Sequence, residues 1–432
     1  MNHKHRHMDV LIVGLALFAM FFGAGSLLFP PYLGMEAGTQ WPVGFLFFFV
    51  SDVGLAFVTI AAMVNKNGAM EQITGTIGRI PALVLNTVVI VCIGPLLAIP
   101  RTAATTFEMS VSPVFPDAPS NVFSIIFFVI TFILTIKPNR VIDILGKFLT
   151  PLMVVALAVL ILVGVLQPLG AVAQPMIDNV VAEGIINGYQ AMDVLGALGF
   201  SIIICSTVTK RGYIQDGERI RVTFQACILA GMLLLVVYGG LTYLGATYST
   251  IQDISQVNQA SLIINIIQHL LGRPGVIMLG LIVGLACLTT AIGLIASSAS
   301  YFEELTHGRV KYGVVVGIIS AFSAVVSSWG LSTIISIASP ILCVVYPVVV
   351  CLIVLSFFQK KIRCGGISRG AATAAFLVSL LTVAASYGMP CAWINQLPLS
   401  GYQLNWILPA VLGGVLGRIV SQWMQGQGEA DV

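Results

Sequence analysis

Apolar residues in this chain fall into long runs parted by short polar segments. A helix rising 1.5 Å per residue needs about 20 predominantly apolar residues to cross a bilayer. Runs of that order lie at about 9–33, 41–64, 81–107, 120–136, 141–166, 186–208, 222–246, 274–300, 312–329, 331–357, 370–387 and 404–424. The pattern predicts an all-α integral membrane protein with about 12 transmembrane helices. The fourth, ninth and eleventh runs are short. The longest connection, 247–272, carries Gln252, Asp253, Gln256, Asn258 and Gln259 and could hold a short helix along the surface. No connection has the size of a soluble catalytic domain.

Two spans contain sequence that an uninterrupted helix avoids. The first reads Phe21-Phe22-Gly23-Ala24-Gly25-Ser26-Leu27-Leu28-Phe29-Pro30-Pro31. The sixth reads Gly188-Tyr189-Gln190-Ala191-Met192-Asp193-Val194-Leu195-Gly196-Ala197-Leu198-Gly199-Phe200. Glycine costs about 1 kcal/mol and proline about 3 kcal/mol in a helix interior, relative to alanine. An odd number of spans per repeat inverts its topology. Spans one and six therefore stand where two five-helix repeats of opposite orientation begin, at 9–166 and 186–357. Interrupted segments at matching positions of two halves point to a transporter site, because unwound backbone frees amides for an anionic group and carbonyls for a cation. The competing use of such glycines is close helix packing.

Several polar residues lie at membrane depth. Asp193 would face a cavity and meet a substrate ammonium, a cation or a proton, or else serve as the structural partner of another polar group. Arg101 lies in the third span, where Pro95 and Pro100 are expected to distort the helix. It reads as a gate or scaffold residue, with Glu108 on the same face but two turns away. Asp52 lies in the second span with no assigned role. In the eighth span Ala286, Thr289 and Thr290 share a face. Their oxygens suit a small hard cation, although both hydroxyls could instead bond their own helix at i−4.

Charge fixes an expected orientation. With both ends on the cytoplasmic side, eighteen of the twenty Lys and Arg residues fall inside, the exceptions being Arg101 and Arg273; cytoplasmic loops hold such charge. The basic tail (1–8) runs into the first span with no cleavage pattern, so it reads as a membrane helix and not a signal peptide. Residues 425–432 form a second cytoplasmic tail. Composition agrees: 58 % of residues are hydrophobic and 9 % charged, against about 25 % charged in soluble domains. A net charge of +3 gives no reason to expect nucleic acid. The eight cysteines form no CxxC pair and read as small buried hydrophobes. Without an HExxH motif or clustered catalytic side chains, an enzyme is not expected. Nor is a channel, since no repeated pore motif is present.

The stretches 21–31, 94–108, 187–199, 285–294 and 328–347 resemble the bacterial branched-chain amino acid:cation symporter (BrnQ, LIVCS) family, and the likeness runs through nearly the whole chain. The resemblance implies a LeuT-like fold of five helices, five inverted helices and two more, the last pair at 370–424. It implies uptake of leucine, isoleucine and valine with sodium or protons across the bacterial inner membrane. By position it implies substrate contacts from Gly23, Ala24, Gly25, Ser26, Asp193, Gly196 and Ala197. It further implies a sodium ion held by the backbone of Ala19 and Phe22 together with Ala286, Thr289 and Thr290. No organic cofactor and no obligatory protein partner are expected beside substrate and membrane lipid. In one place the chain departs from the family: Ser26 stands where Asn is usual after Gly-Ala-Gly. A symporter of another small neutral solute, proton-coupled through Asp193, is the alternative reading.

Overall fold

The computed structural model describes residues 3–66, 68, 70–136, 150–254, 257–359 and 365–430. Every regular element among them is helical. Residues 141–149 of the expected fifth span lie outside the described residues, as do Gln256, Cys364 and Asp431. So do Lys137, Arg140, Lys147, Lys360, Lys361 and Arg363 of the charge tally.

The first span consists of α1 (His3–Phe21) and α2 (Ala24–Ala37). The second is α3 (Trp41–Phe49) and α4 (Leu55–Val64), joined by a π turn over Val50–Gly54. A one-turn helix, α5 (Glu71–Thr74), precedes α6 (Arg79–Val91) and α7 (Ala98–Thr106), which make the third span. Next come α8 (Ser120–Thr135) and α9 (Thr150–Leu166). The sixth span is α10 (Val180–Ala191) and α11 (Asp193–Lys210). After it run α12 (Asp216–Tyr248), α13 (Gln259–Leu305), α14 (Tyr312–Ser327), α15 (Leu331–Phe358), α16 (Gly365–Ser386) and α17 (Ile407–Ala430).

Seven helical stretches among the described residues are long and apolar enough to cross a membrane, and four shorter apolar helices accompany them. One of the seven, Ala24–Val64, bends at Gly38 (φ +49°), so that Gly44 lies beside Leu33 and Ala37. The outward face of α8, with Ile125, Val129 and Ile133 exposed, is apolar, as a lipid-facing helix must be. The 247–272 connection does hold a helix: 259–271 forms the start of α13, set apart by Gly272 (φ +64°) just before Pro274.

Close packing of the spans depends on missing side chains. A Cβ on Gly34 would overlap the Thr242 carbonyl oxygen, and one on Gly245 would overlap that of Pro31. At these points α2 and α12 meet backbone to backbone. Small residues allow such approach between membrane helices, where van der Waals contact replaces the hydrophobic drive.

Candidate functional site

The two interrupted spans are interrupted in fact, and they touch. The first breaks at Gly23, which is extended (φ −128°, ψ −157°) between α1 and α2. Pro30 and Pro31 lie inside α2 and do not end it. The second break is not at a glycine. Met192 adopts the left-handed conformation (φ 70°, ψ 13°) between α10 and α11. The glycines of this span serve packing instead: Gly188 lies on Ser51, and Gly199 on Ser297. Tertiary contact thus holds a residue in a conformation that disfavours L side chains.

Gly25 brings the breaks together. A Cβ there would lie 3.0 Å from Ala191 Cα and 3.0 Å from Arg101 Nη2. Arg101, buried on α7, donates from Nη1 to the Gln190 carbonyl (2.5 Å) and from Nη2 to the Ala191 carbonyl (3.0 Å). Those are the last two residues of α10, whose carbonyls have no partner further along their own helix. A guanidinium can satisfy both at once. Arg101 therefore braces the broken sixth span and is not paired with Glu108. The Glu108 carboxylate accepts instead from the Leu331 N–H (3.1 Å), tying the end of the third span to the start of α15. The ion pair between broken spans lies elsewhere: Arg211, just beyond α11, meets Asp9 of α1 at 2.5 Å, and Tyr213 donates to the same carboxylate (2.9 Å).

The break in the first span is held by one side chain. Ser26 Oγ accepts from the Gly23 N–H (3.4 Å) and from the Tyr238 hydroxyl (2.6 Å), and donates to the Phe21 carbonyl (2.9 Å). Its two acceptor sites and its proton are all engaged within the protein. The hydroxyl therefore shapes the break and is not open to a ligand, which leaves the amides at the start of α2 as the groups that could meet one.

Between the breaks lies a cavity of about 30 Å³. That admits a water molecule or two, not an amino acid. Gly23, Ala24, Gly25, Ser26, Asp193, Gly196, Arg101 and Thr290 line it, with Phe21, Phe200 and Leu294 as apolar wall. Ala197 is fully buried in α11 away from the lining, and its carbonyl accepts from Ser201. Ala19, Phe22, Ala286 and Thr289 do not line it.

The expected cation ligands are brought together unequally. Thr290 lies against the first break: a Cβ on Gly23 would come within 2.9 Å of its hydroxyl, which is buried and has no hydrogen-bond partner. Thr289 instead donates to the Ala286 carbonyl (2.8 Å), at i−3. An orphaned hydroxyl beside an interrupted helix end suits an oxygen-ligated cation such as sodium. Among the described residues no group of three or more His, Cys, Asp or Glu could hold a metal.

Three side chains at the site carried no usable signal in sequence. Asp52 sits in the π turn of the second span, wholly buried, facing Asp193 and Arg101. Its carboxyl bonds to the side chain and backbone of Asp193 and has no partner beyond that residue. A π turn often marks a functional position, but it is invisible in a run of apolar residues. Tyr238 and Tyr346 are fully buried and face the same two carboxyls. Tyr346 stacks on Tyr189 of α10 at 4.7 Å.

Broken helices that meet at a cavity, on an all-helical membrane scaffold, define a membrane protein of the LeuT-like fold. The closed form of Mhp1, a nucleobase-cation-symport-1 family transporter, superposes with a TM-score of 0.64, covering 96 % of this chain and 93 % of that one at 12 % identity. A Na+-coupled sialic acid symporter gives a TM-score of 0.56 at 11 % identity, over 94 % and 90 % of the two chains. These likenesses establish the fold. The model of the branched-chain amino acid transport protein family matches residues 6–424, and the chain belongs to that family. It is 33 % identical to the branched-chain amino acid permease BrnQ of Salmonella typhimurium, over 97 % of each chain. Identity to BrnQ of Bacillus subtilis is also 33 %, over 98 % of each. The chain is a multi-pass membrane transporter and not an enzyme.

Proposed function

We propose that this protein carries leucine, isoleucine and valine into the cell together with a cation, sodium in the first instance, by alternating access. The observation that carries the reading is the contact of Gly25 with Ala191, which sets two half-helix ends around one cavity. The start of α2 presents amides and the positive end of a helix dipole to the cavity, while at the start of α11 the backbone of Asp193 and Val194 is already engaged by Asp52 and Tyr346. A substrate carboxylate suits the amides at Ala24 and Gly25, and its ammonium suits Asp193. The branched side chain then takes the apolar wall, where Phe200 and Leu294 must yield to admit it. The cation is assigned to Thr290 and Thr289 with the backbone of Ala19, Phe22 and Ala286, so that its binding draws the first and eighth spans together. Rocking about the site exposes it to one face and then the other. In this scheme the membrane is the bacterial inner membrane, both termini are cytoplasmic, and the repeats are 9–166 and 186–357 with a further pair of helices at 370–424.

A second reading has its own observation. Asp52 places another carboxyl beside Asp193, which suits coupling to protons. One experiment separates the two. Vesicles holding the purified protein take up labelled leucine under an imposed sodium gradient or an imposed proton gradient. Stimulation by sodium alone supports the first reading, stimulation by protons alone supports the second, and saturable uptake of neither leucine, isoleucine nor valine rejects both.

A further inference from the structure

A large cleft lies away from the transport site. It is a cleft of about 840 Å³ between α17 and the body formed by α3, α4, α10 and α15. Helix α17 is held to the rest by α16. Gly366 and Gly370 of α16 meet Gly413 and Gly417 of α17 so closely that a Cβ on any of them would overlap backbone. This seam fixes the helix pair while another face of α17 stands off from the body. Along that face Val411, Val415 and Ile419 look across at Val354 of α15 and Ile185 of α10.

The polar groups of the cleft are sorted by position. Arg418 is its single charged lining residue, and Gln422 follows one turn later. Tyr189 and Trp406 close the other end. From Ile407 to Gln422 the lining face of α17 runs about 22 Å, longer than half of a hydrocarbon core about 30 Å thick. Arg369, on the first turns of α16, stands at the same end as Arg418, because Gly370 meets Gly413 and Gly366 meets Gly417. An occupant must therefore be long and apolar, with an anionic group at one end. A peptide would leave backbone amides unpaired in such a lining.

We propose that this cleft is a binding site for an anionic glycerophospholipid, its acyl chain lying along α17 and its phosphate against Arg418. Basic residues at the mouth of a groove between membrane helices select anionic headgroups. The tail packs behind Tyr189, the α10 residue stacked on Tyr346, and so backs the half-helix that ends at Met192. The site does not depend on which solute or cation is carried.

The test is native mass spectrometry of the full-length protein taken from vesicles of phosphatidylethanolamine mixed with phosphatidylglycerol. The wild type should retain phospholipid enriched in phosphatidylglycerol by about fivefold over the bulk, the effect of one arginine near an anionic surface. Arg418→Gln, an exposed position, should retain lipid without that enrichment. Val411→Trp with Val415→Trp, which narrows the cleft along α17, should lose the retained lipid. Unchanged enrichment in Arg418→Gln overturns the proposal, whether or not the tryptophan variant folds. So does unchanged retention in a folded tryptophan variant, or a wild type that leaves the vesicle as a lipid-free dimer.

Discussion

Arg101 donates from Nη2 to the carbonyl of Ala191 at 3.0 Å, so a cation in the third span closes off the broken end of the sixth. Truncating it leaves two buried carbonyls without donors and an open path beside Gly25. Arg101→Ala is expected to reduce leucine uptake at least about tenfold, since each orphaned buried group costs about 1–3 kcal/mol. Arg101→Lys should recover little, because an ammonium lacks the planar fork that reaches both carbonyls. Uptake per inserted protein measures both, and wild-type rates in Arg101→Ala would remove the bracing role.

Tyr238 and Ser26 hold the other break. Tyr238→Phe deletes one hydrogen bond to Ser26 Oγ, worth about 1 kcal/mol. The expected outcome is an apparent leucine affinity weaker by about fivefold with the helices still folded. Ser26→Ala removes all three bonds and should be more severe. Concentration dependence of uptake resolves the two, and equal affinities in all three proteins would show that the break is set without this network.

The two threonines of α13 should not behave alike. Thr290→Ala removes a hydroxyl that has no internal partner, whereas Thr289→Ala removes one already bonded to Ala286. Thr290→Ala is expected to abolish cation stimulation of uptake, Thr289→Ala to weaken it, and the double variant to match Thr290→Ala. Uptake against sodium concentration checks this. A double variant with undiminished cation dependence would place the cation elsewhere.

Asp9 and Arg211 join the first and sixth spans at one end, while Glu108 and Leu331 join the third and tenth at the other. Both latches are closed around a cavity of about 30 Å³. Asp9→Asn should loosen one end selectively, raising thiol labelling of a cysteine introduced at Met20 from the Asp9 side of vesicles. Glu108→Gln keeps an acceptor for the Leu331 N–H and should label as wild type does.

Features that depend on local chemistry were legible residue by residue. Runs of apolar residues fixed the membrane class, and the break at Gly23 was legible because glycine in mid-helix is costly wherever it occurs. The repeat of interruptions in spans one and six pointed to the site, and Gly25, Asp193 and Thr290 do line one cavity. The rest came from packing between distant helices. Met192 carries the second break although nothing in its side chain favours positive φ, while the neighbouring glycines that looked like hinges sit against Ser51 and Ser297. Arg101 reaches the carbonyls of a helix ninety residues away, and Ser26 was claimed by a tyrosine of the seventh span. Asp52 sits in the π turn against Asp193, a placement that the apolar run around it does not signal. Hydrophobicity and propensity act over a few residues and can be read along the chain. The partners of a buried polar group are chosen by which helices pack together, and a pattern of single residues does not record that choice.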